Sequence, residues 1–263
     1  MTNAGEAAPD RTVFAVSGAD RESFLQGLVT NDLGKLGDGL VYAALLTPQG
    51  KYLADFFLVR RGDTILIDAK GEQTEALVRR LSMYRLRAAV TIAPTDIHVS
   101  RGLGPAPDGA FADPRHPALG WRSYGTGTGD APGIDWDAIR VAHCIPEAGI
   151  ELIPDETYIL EAGFERLHGV DFRKGCYVGQ EVTARMKHKT ELRKGFVTVA
   201  IEGAAPVGAE ILAGGKPAGR VFTQSGGRAI AWLRFDRLGD DMTAGDVRLR
   251  PLGDDEPDGV TAS

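Results

Sequence analysis

The chain has 263 residues, 43% hydrophobic and 25% charged, a globular balance that excludes intrinsic disorder for the body of the chain. Thirty basic against 36 acidic residues give a net charge of −6, which argues against stable nucleic-acid binding as the main task. Two cysteines, Cys144 and Cys176, exclude a secreted disulfide scaffold and a self-contained four-cysteine metal or cluster site.

Residues 1–10 read as a loose polar tail. They hold no apolar run of signal-peptide length, and Glu6 and Asp10 are unlike an Arg-rich transit peptide. The longest apolar run, Leu40 to Leu46, is far below the ~20 residues that span a bilayer. The expectation is a soluble, cytoplasmic protein with no membrane partner. Thr12–Val16 reads as a strand, and Asp20 as the cap of a helix carrying Phe24, Leu25, Leu28 and Val29. Val41–Leu46 and Tyr52–Val59 read as a hairpin around the turn Thr47-Pro48-Gln49-Gly50. Arg61-Gly62-Asp63 is a second turn, leading into a strand at Thr64–Asp68. Glu72–Tyr84 is helical, with Leu77 and Leu81 on one face, and Val90–Ala93 and Ile97–Ser100 are strands. This mixture predicts an α+β body with antiparallel pairing.

Residues 102–109 and 125–133 read as linkers, and helices are expected at Trp136–His143, Glu156–Leu167 and Val178–Lys187. After about residue 194 short β-type runs alternate with glycine turns, which predicts a small barrel or sandwich. Acidic residues 254–258 mark a disordered tail. The five histidines lack metal-ligand spacing.

The segment from Asp171 to Lys194 carries seven basic and three acidic residues, a cationic patch on an anionic chain. Such a patch suits an anionic small molecule or an acidic partner. Within it Cys176 lies between Lys174 and the start of an expected helix, both of which lower a thiol pKa below ~8.5. The other reading of Cys176 is a small buried hydrophobe, as Cys144 is expected to be. Asp55 interrupts an apolar strand, where a carboxylate is costly unless paired. It is either a solvent-facing or edge position or a group that hydrogen-bonds or protonates a bound heterocycle.

Lys174-Gly175-Cys176-Tyr177-Val178-Gly179-Gln180-Glu181 resembles the K-G-C-[FY]-x-G-Q-E signature of the YgfZ-type folate-binding family, which includes an iron–sulfur assembly factor of mitochondria. Three further segments are similar to that family in the same order. They are Phe24 to Asp32 (FLQGLVTND), Leu46 to Lys51 (LTPQGK) followed by Asp55, and Asp113-Pro114-Arg115 with Leu119-Gly120-Trp121-Arg122. The resemblance covers about residues 12–252. It departs from the related aminomethyltransferase T-protein of glycine cleavage, which has Asp where this chain has Cys176. It also departs from near relatives in the loop after the signature, His188 to Arg193.

The resemblance implies an α+β fold: a folate-binding, GcvT-like body with a ferredoxin-like inserted part and a small C-terminal β-barrel, arranged around a central opening. The implied domains are 12–192 and 193–252, with a tail at 253–263. It implies tetrahydrofolate as cofactor, its pterin near Asn31 and Asp55 and its glutamate tail toward Arg140, with Tyr177 and Gln180 shaping the loop. Cys176 is then the reactive or ligating thiolate and Lys174 its activator. A cluster takes four thiolates, so a transient cluster held by Cys176 is shared with an A-type carrier or a glutaredoxin-like protein, and the clients are [4Fe–4S] enzymes. The resemblance leaves two other readings open. One is a folate-dependent aminomethyl or one-carbon transferase using Asp55; the other is a tRNA-modification helper using the basic residues of 185–194.

Overall fold

The computed structural model describes residues 5–189 and 191–252. The chain divides into two compact units. The first runs through Ile134 and adds Pro154–Glu156 and Phe164–Ala184; the second takes Asp135–Ile153, Thr157–Gly163 and the chain from Arg185 onward.

The first unit contains β1 (Glu6–Ala7), β2 (Arg11–Ser17), α1 (Arg21–Gln26), β3 (Val41–Leu46), β4 (Tyr52–Arg61), β5 (Thr64–Lys70), α2 (Gly71–Arg85), β6 (Thr91–Pro94), β7 (His98–Gly102), β8 (Phe111–Ala112) and β9 (Trp121–Gly125). These strands form two antiparallel sheets, ordered β3-β4-β5-β2-β6 and β1-β7-β9-β8. Strand alternation gives the larger sheet two different faces. Val41, Ala43, Leu45, Ala54, Phe56, Leu58, Ile65, Ile67, Phe14 and Val16 point to one side, where they meet Leu25 of α1 and Leu77 and Leu81 of α2. Burying each large side chain there stabilises the fold by roughly 1.5–3 kcal/mol. The intervening residues point to the opposite face. Tyr42 pairs with Phe57, Phe57 with Asp68, and Asp68 with Val13, so an aromatic and ionic row crosses the sheet.

The second unit contains α3 (Trp136–Ala142) and a closed antiparallel barrel. A further helix, α4 (Gln180–Lys189), precedes the barrel in the chain. The barrel strands are β10 (Lys194–Glu202), β11 (Glu210–Ala213), β12 (Lys216–Ser225), β13 (Arg228–Arg234), β14 (Met242–Ala244) and β15 (Val247–Pro251). The barrel closes through pairing of β10 with β15, which removes free strand edges. Its interior holds Val199, Ile201, Ile211, Val221, Ala231, Leu233, Met242 and Leu249. Cys144 packs with Val141 and Ile230 as the expected core residue.

Four local expectations are corrected. Residues 5–10 are not a loose tail: β1 pairs with β7, and buried Glu6 accepts from the N–H groups of Gly133 and Ile134 at 2.7 and 2.8 Å. Residues 156–167 form successive turns rather than a helix, and Gly163 at φ +72° breaks the run. Asp20 does not cap α1; its side chain accepts from the Ala89 N–H at 2.7 Å. The helix after the cysteine signature starts at Gln180, two residues later than expected, because Gly179 takes φ +83°. The acidic tail expected at 253–263 lies outside the described residues.

Candidate functional site: the Cys176 loop

Cys176 is exposed and Cys144 buried. The loop carrying Cys176 is fastened from three directions. Lys174 is buried, and its ammonium donates to the carbonyls of Gln26 and Val29 at 2.6 and 2.5 Å. These carbonyls lie at and just beyond the end of α1, where a helix leaves acceptors unsatisfied. Burial lowers the Lys174 ammonium to about 8, against the opposing pull of Asp32 and Asp171. The Tyr177 ring lies 5.0 Å from the ammonium and adds a cation–π contact. Lys174 therefore ties the loop to α1.

The second fastening is the Thr30-Asn31-Asp32 segment. Asp171 N–H donates to Thr30 C=O at 3.0 Å, and Thr30 Oγ1 donates to Gly169 C=O at 2.6 Å. Asn31 Nδ2 donates to the carbonyls of Tyr42 and His168 at 2.8 and 2.7 Å, while its Oδ1 accepts from Lys35 Nζ at 2.9 Å. Lys35 also pairs with Asp171 at 2.7 Å. The third fastening is steric. A Cβ on Gly179 would lie 2.6 Å from Thr47 O, and one on Gly50 would lie 2.9 Å from Val182 Cβ. The 47–50 turn and the start of α4 therefore interlock through two glycines. Gln180 Oε1 accepts from the Tyr177 N–H at 3.3 Å, which closes the loop ahead of the helix. Three segments singled out in the sequence thus converge on one exposed thiol.

Asp55 lies on the ionic face of the larger sheet and is buried. Its carboxylate accepts from the hydroxyls of Tyr52 and Tyr42 at 2.7 and 3.0 Å. Burial first, and the Asp55 charge second, push both phenols well above their ordinary range, so they remain neutral donors. Alongside runs a chain of buried ion pairs. Arg11 meets Asp68 at 2.6 Å, Asp68 meets Arg122 at 3.2 Å, Arg122 meets Asp113 at 3.0 Å, and Asp113 meets Arg115 at 2.8 Å. The guanidiniums of Arg122, Arg115 and Arg11 lie 4.0, 4.9 and 5.5 Å from the Phe57 ring centre. Burial raises the Asp113 carboxyl, but Arg115 and Arg122 outweigh that and hold it well below the usual range. The layer is balanced, three arginines against three aspartates.

In the second unit Arg140 is buried and pairs with Asp137, Glu147 and Glu151 at 2.8, 2.9 and 3.1 Å. It also donates to Thr223 Oγ1 at 3.1 Å and to Ile145 C=O at 3.1 Å. Sequence reasoning did not foresee Thr30, Tyr42, Tyr52 or Asp68 as partners. Asp113, Arg115 and Arg122 were visible as a motif, but without a role. The available signal was polar residues at inward-facing strand positions, as Asp68 is between Ile67 and Ala69.

These residues do not fit a folate as they stand. Both Asp55 oxygens accept from phenols, the Asn31 amide is bonded at both ends, and Arg140 is surrounded by three carboxylates. Arg140 Nε is buried and makes no hydrogen bond, but it lies 2.9 Å from Glu147 Oε2 in an ion pair, so this guanidinium too is held within the protein rather than presented to a glutamate tail. Among the described residues no group of three or more His, Cys, Asp or Glu could hold a metal ion.

Comparison with known proteins agrees with this architecture. Residues 193–255 match the CAF17 C-terminal beta-barrel domain. The glycine cleavage aminomethyltransferase T of Bartonella henselae superposes with a TM-score of 0.72 at 15% identity, covering 94% of this chain and 85% of that one. The fold is therefore GcvT-like, with a closed barrel at its C-terminal end, as the resemblance implied. A mitochondrial IBA57 homolog of Mycosarcoma maydis, an iron–sulfur cluster assembly factor, is 32% identical across 72% of this chain. The chain spans 55% of that relative's length. Human mitochondrial IBA57 is 30% identical across 87% of this chain and 76% of its own length, and the mouse protein 29% across the same shares. The expected cytoplasmic location is overturned by these matches, since the named relatives are mitochondrial proteins. Sequence and fold together establish that the chain belongs to the IBA57 family of iron–sulfur cluster assembly factors.

Proposed function

We propose that this protein serves iron–sulfur cluster assembly by offering the Cys176 thiolate as one ligand of a cluster shared with a partner. The observation that carries this reading is the exposure of Cys176 beside the burial of Cys144. Thiolate is the iron-binding form, and a cluster takes four such ligands. One accessible thiol leaves the others to an A-type carrier, a glutaredoxin-like protein or a small thiol. The step is a ligand exchange. Cys176 releases its proton to solvent and its sulfur donates an electron pair to one iron; the displaced thiolate takes up a proton and leaves. No oxidant or reductant is consumed. The clients in this reading are [4Fe–4S] enzymes, and the likeness of Lys174–Glu181 to the YgfZ-type signature supports it. No step passes through tetrahydrofolate.

The test has two arms. The purified protein is mixed with a cluster-loaded carrier and followed by visible circular dichroism, and aconitase activity is measured in cells lacking the gene and resupplied with variants. Wild type is expected to give a new cluster signal and restore aconitase, and Cys176→Ser to do neither. Full restoration by Cys176→Ser sinks the thiolate; aconitase unaffected by the deletion sinks the assembly role.

A further inference from the structure

A cavity of about 290 Å³ lies in the first unit, and Cys176 is not among its lining residues. It is lined by Leu45, Leu53 and Ala54 from the β3–β4 hairpin, by α2, and by Pro154 and Asp155. The helix contributes Glu72, Ala76 and Arg80, which recur every four residues and so share one face, with Gln73 and Leu77 beside them. Ala76 at the centre leaves room for an occupant. Glu72 and Arg80 mark the two ends, roughly 12 Å apart along the axis at 1.5 Å per residue. The volume equals that of roughly ten waters at ~30 Å³ each.

Among the described residues the side chains of Glu72, Arg80 and Asp155 form no ion pair or hydrogen bond. This contrasts with neighbouring Arg79, which pairs with Glu75 at 2.5 Å. Asp155 takes φ +63°, unusual for a side-chain-bearing residue, and its N–H donates to Tyr52 C=O at 2.9 Å. The Tyr52 hydroxyl in turn lies 3.1 Å from Gln73 Oε1. The acidic end is thus anchored to the start of β4, and the basic end stands two helical turns away.

We propose that this trough binds a small, extended zwitterion: an amine at the Glu72–Asp155 end, a carboxylate or phosphate at Arg80, and an apolar middle over Leu45, Leu53, Ala54 and Leu77. Apolar walls with a few convergent polar groups are the usual make-up of a small-molecule site. The site is independent of the Cys176 reading.

The probe is 8-aminooctanoate, with octanoate and octylamine as one-ended controls, titrated into methyl-labelled full-length protein and followed by NMR. Saturable shifts are expected at the Leu45, Leu53 and Leu77 methyls. Arg80→Ala should weaken 8-aminooctanoate and octanoate by about tenfold or more, and Glu72→Gln should weaken 8-aminooctanoate and octylamine while sparing octanoate. Ala76→Leu, at an exposed position that favours helix, should fill the trough and abolish binding with the fold intact. The absence of saturable shifts in wild type overturns the proposal. So does an unchanged dissociation constant in Arg80→Ala and Ala76→Leu.

Discussion

The ionic layer around Asp55 and the loop carrying Cys176 lie in the same unit and treat reactive side chains in opposite ways. In the layer, aspartates and arginines are buried, and their charges cancel in pairs. In the loop, the thiol is exposed while Lys174 and Tyr177 on either side of it are buried and tied down. Burial of a charge is tolerated only when it is paired and hydrogen-bonded, so the layer fits a structural role. A reacting atom needs access to its partner, so the loop fits a working role. The difference shows that a carboxylate in an improbable place is weak evidence for chemistry when its bonds are already filled.

The largest effect that would break this contrast is at Asp113. Asp113→Asn should cost about 3–5 kcal/mol by denaturant unfolding, because it leaves buried Arg115 without its carboxylate and Arg122 with Asp68 alone. A loss below about 1 kcal/mol would mean that the layer is not integral to the fold. The same residue predicts an acid limit. Its carboxyl is held below 3.8, so the unfolded chain binds its proton first as pH falls. Stability from Asp113 is therefore fully present above pH 3.8 and lost on acidification below it, and Asp113→Asn should flatten that limb of the stability curve.

Lys174→Met comes next. It strands the Gln26 and Val29 carbonyls and should cost about 1–3 kcal/mol at pH 7. Folding lowers the Lys174 ammonium from 10.5 to about 8. Between those values the unfolded chain holds a proton that the native chain has lost, so stability rises with pH. The margin of wild type over Lys174→Met should widen from pH 8 to 10.5. A constant margin would show that the ammonium is not desolvated.

Asp55→Asn should lower stability by about 1–2 kcal/mol and leave aconitase restoration intact, since the two phenols bond different carboxylate oxygens and the amide turns one of these into a donor NH2. Loss of restoration with the fold preserved would return Asp55 to the chemistry. The smallest structural effect is expected at Cys176. Cys176→Ser should change unfolding free energy by less than about 0.5 kcal/mol, as exposed positions usually do, while removing cluster transfer. Tetrahydrofolate sharpens the comparison from the other side. No saturable quenching of tryptophan fluorescence is expected on titration, and a clear isotherm would reopen the layer as a binding site.

The sequence by itself determined most of the local elements and the likeness that located the cysteine loop. The turns at 47–50 and 61–63, the amphipathic α2 and the barrel runs are written in short-range periodicity and glycine placement, which act within a few residues. β14, at three residues, is too short to carry such a pattern. Only the tertiary structure decided what the polar residues do. Lys174 meets Val29 across 145 positions, Arg122 meets Asp68 across 54, and Asp55 is satisfied by phenols on two strands. Residues 156–167 have the apolar content of a helix, yet they fold as turns divided between two units. Periodicity reports which face is apolar; whether a charge on the other face meets water, a partner or another strand depends on contacts that no local pattern encodes.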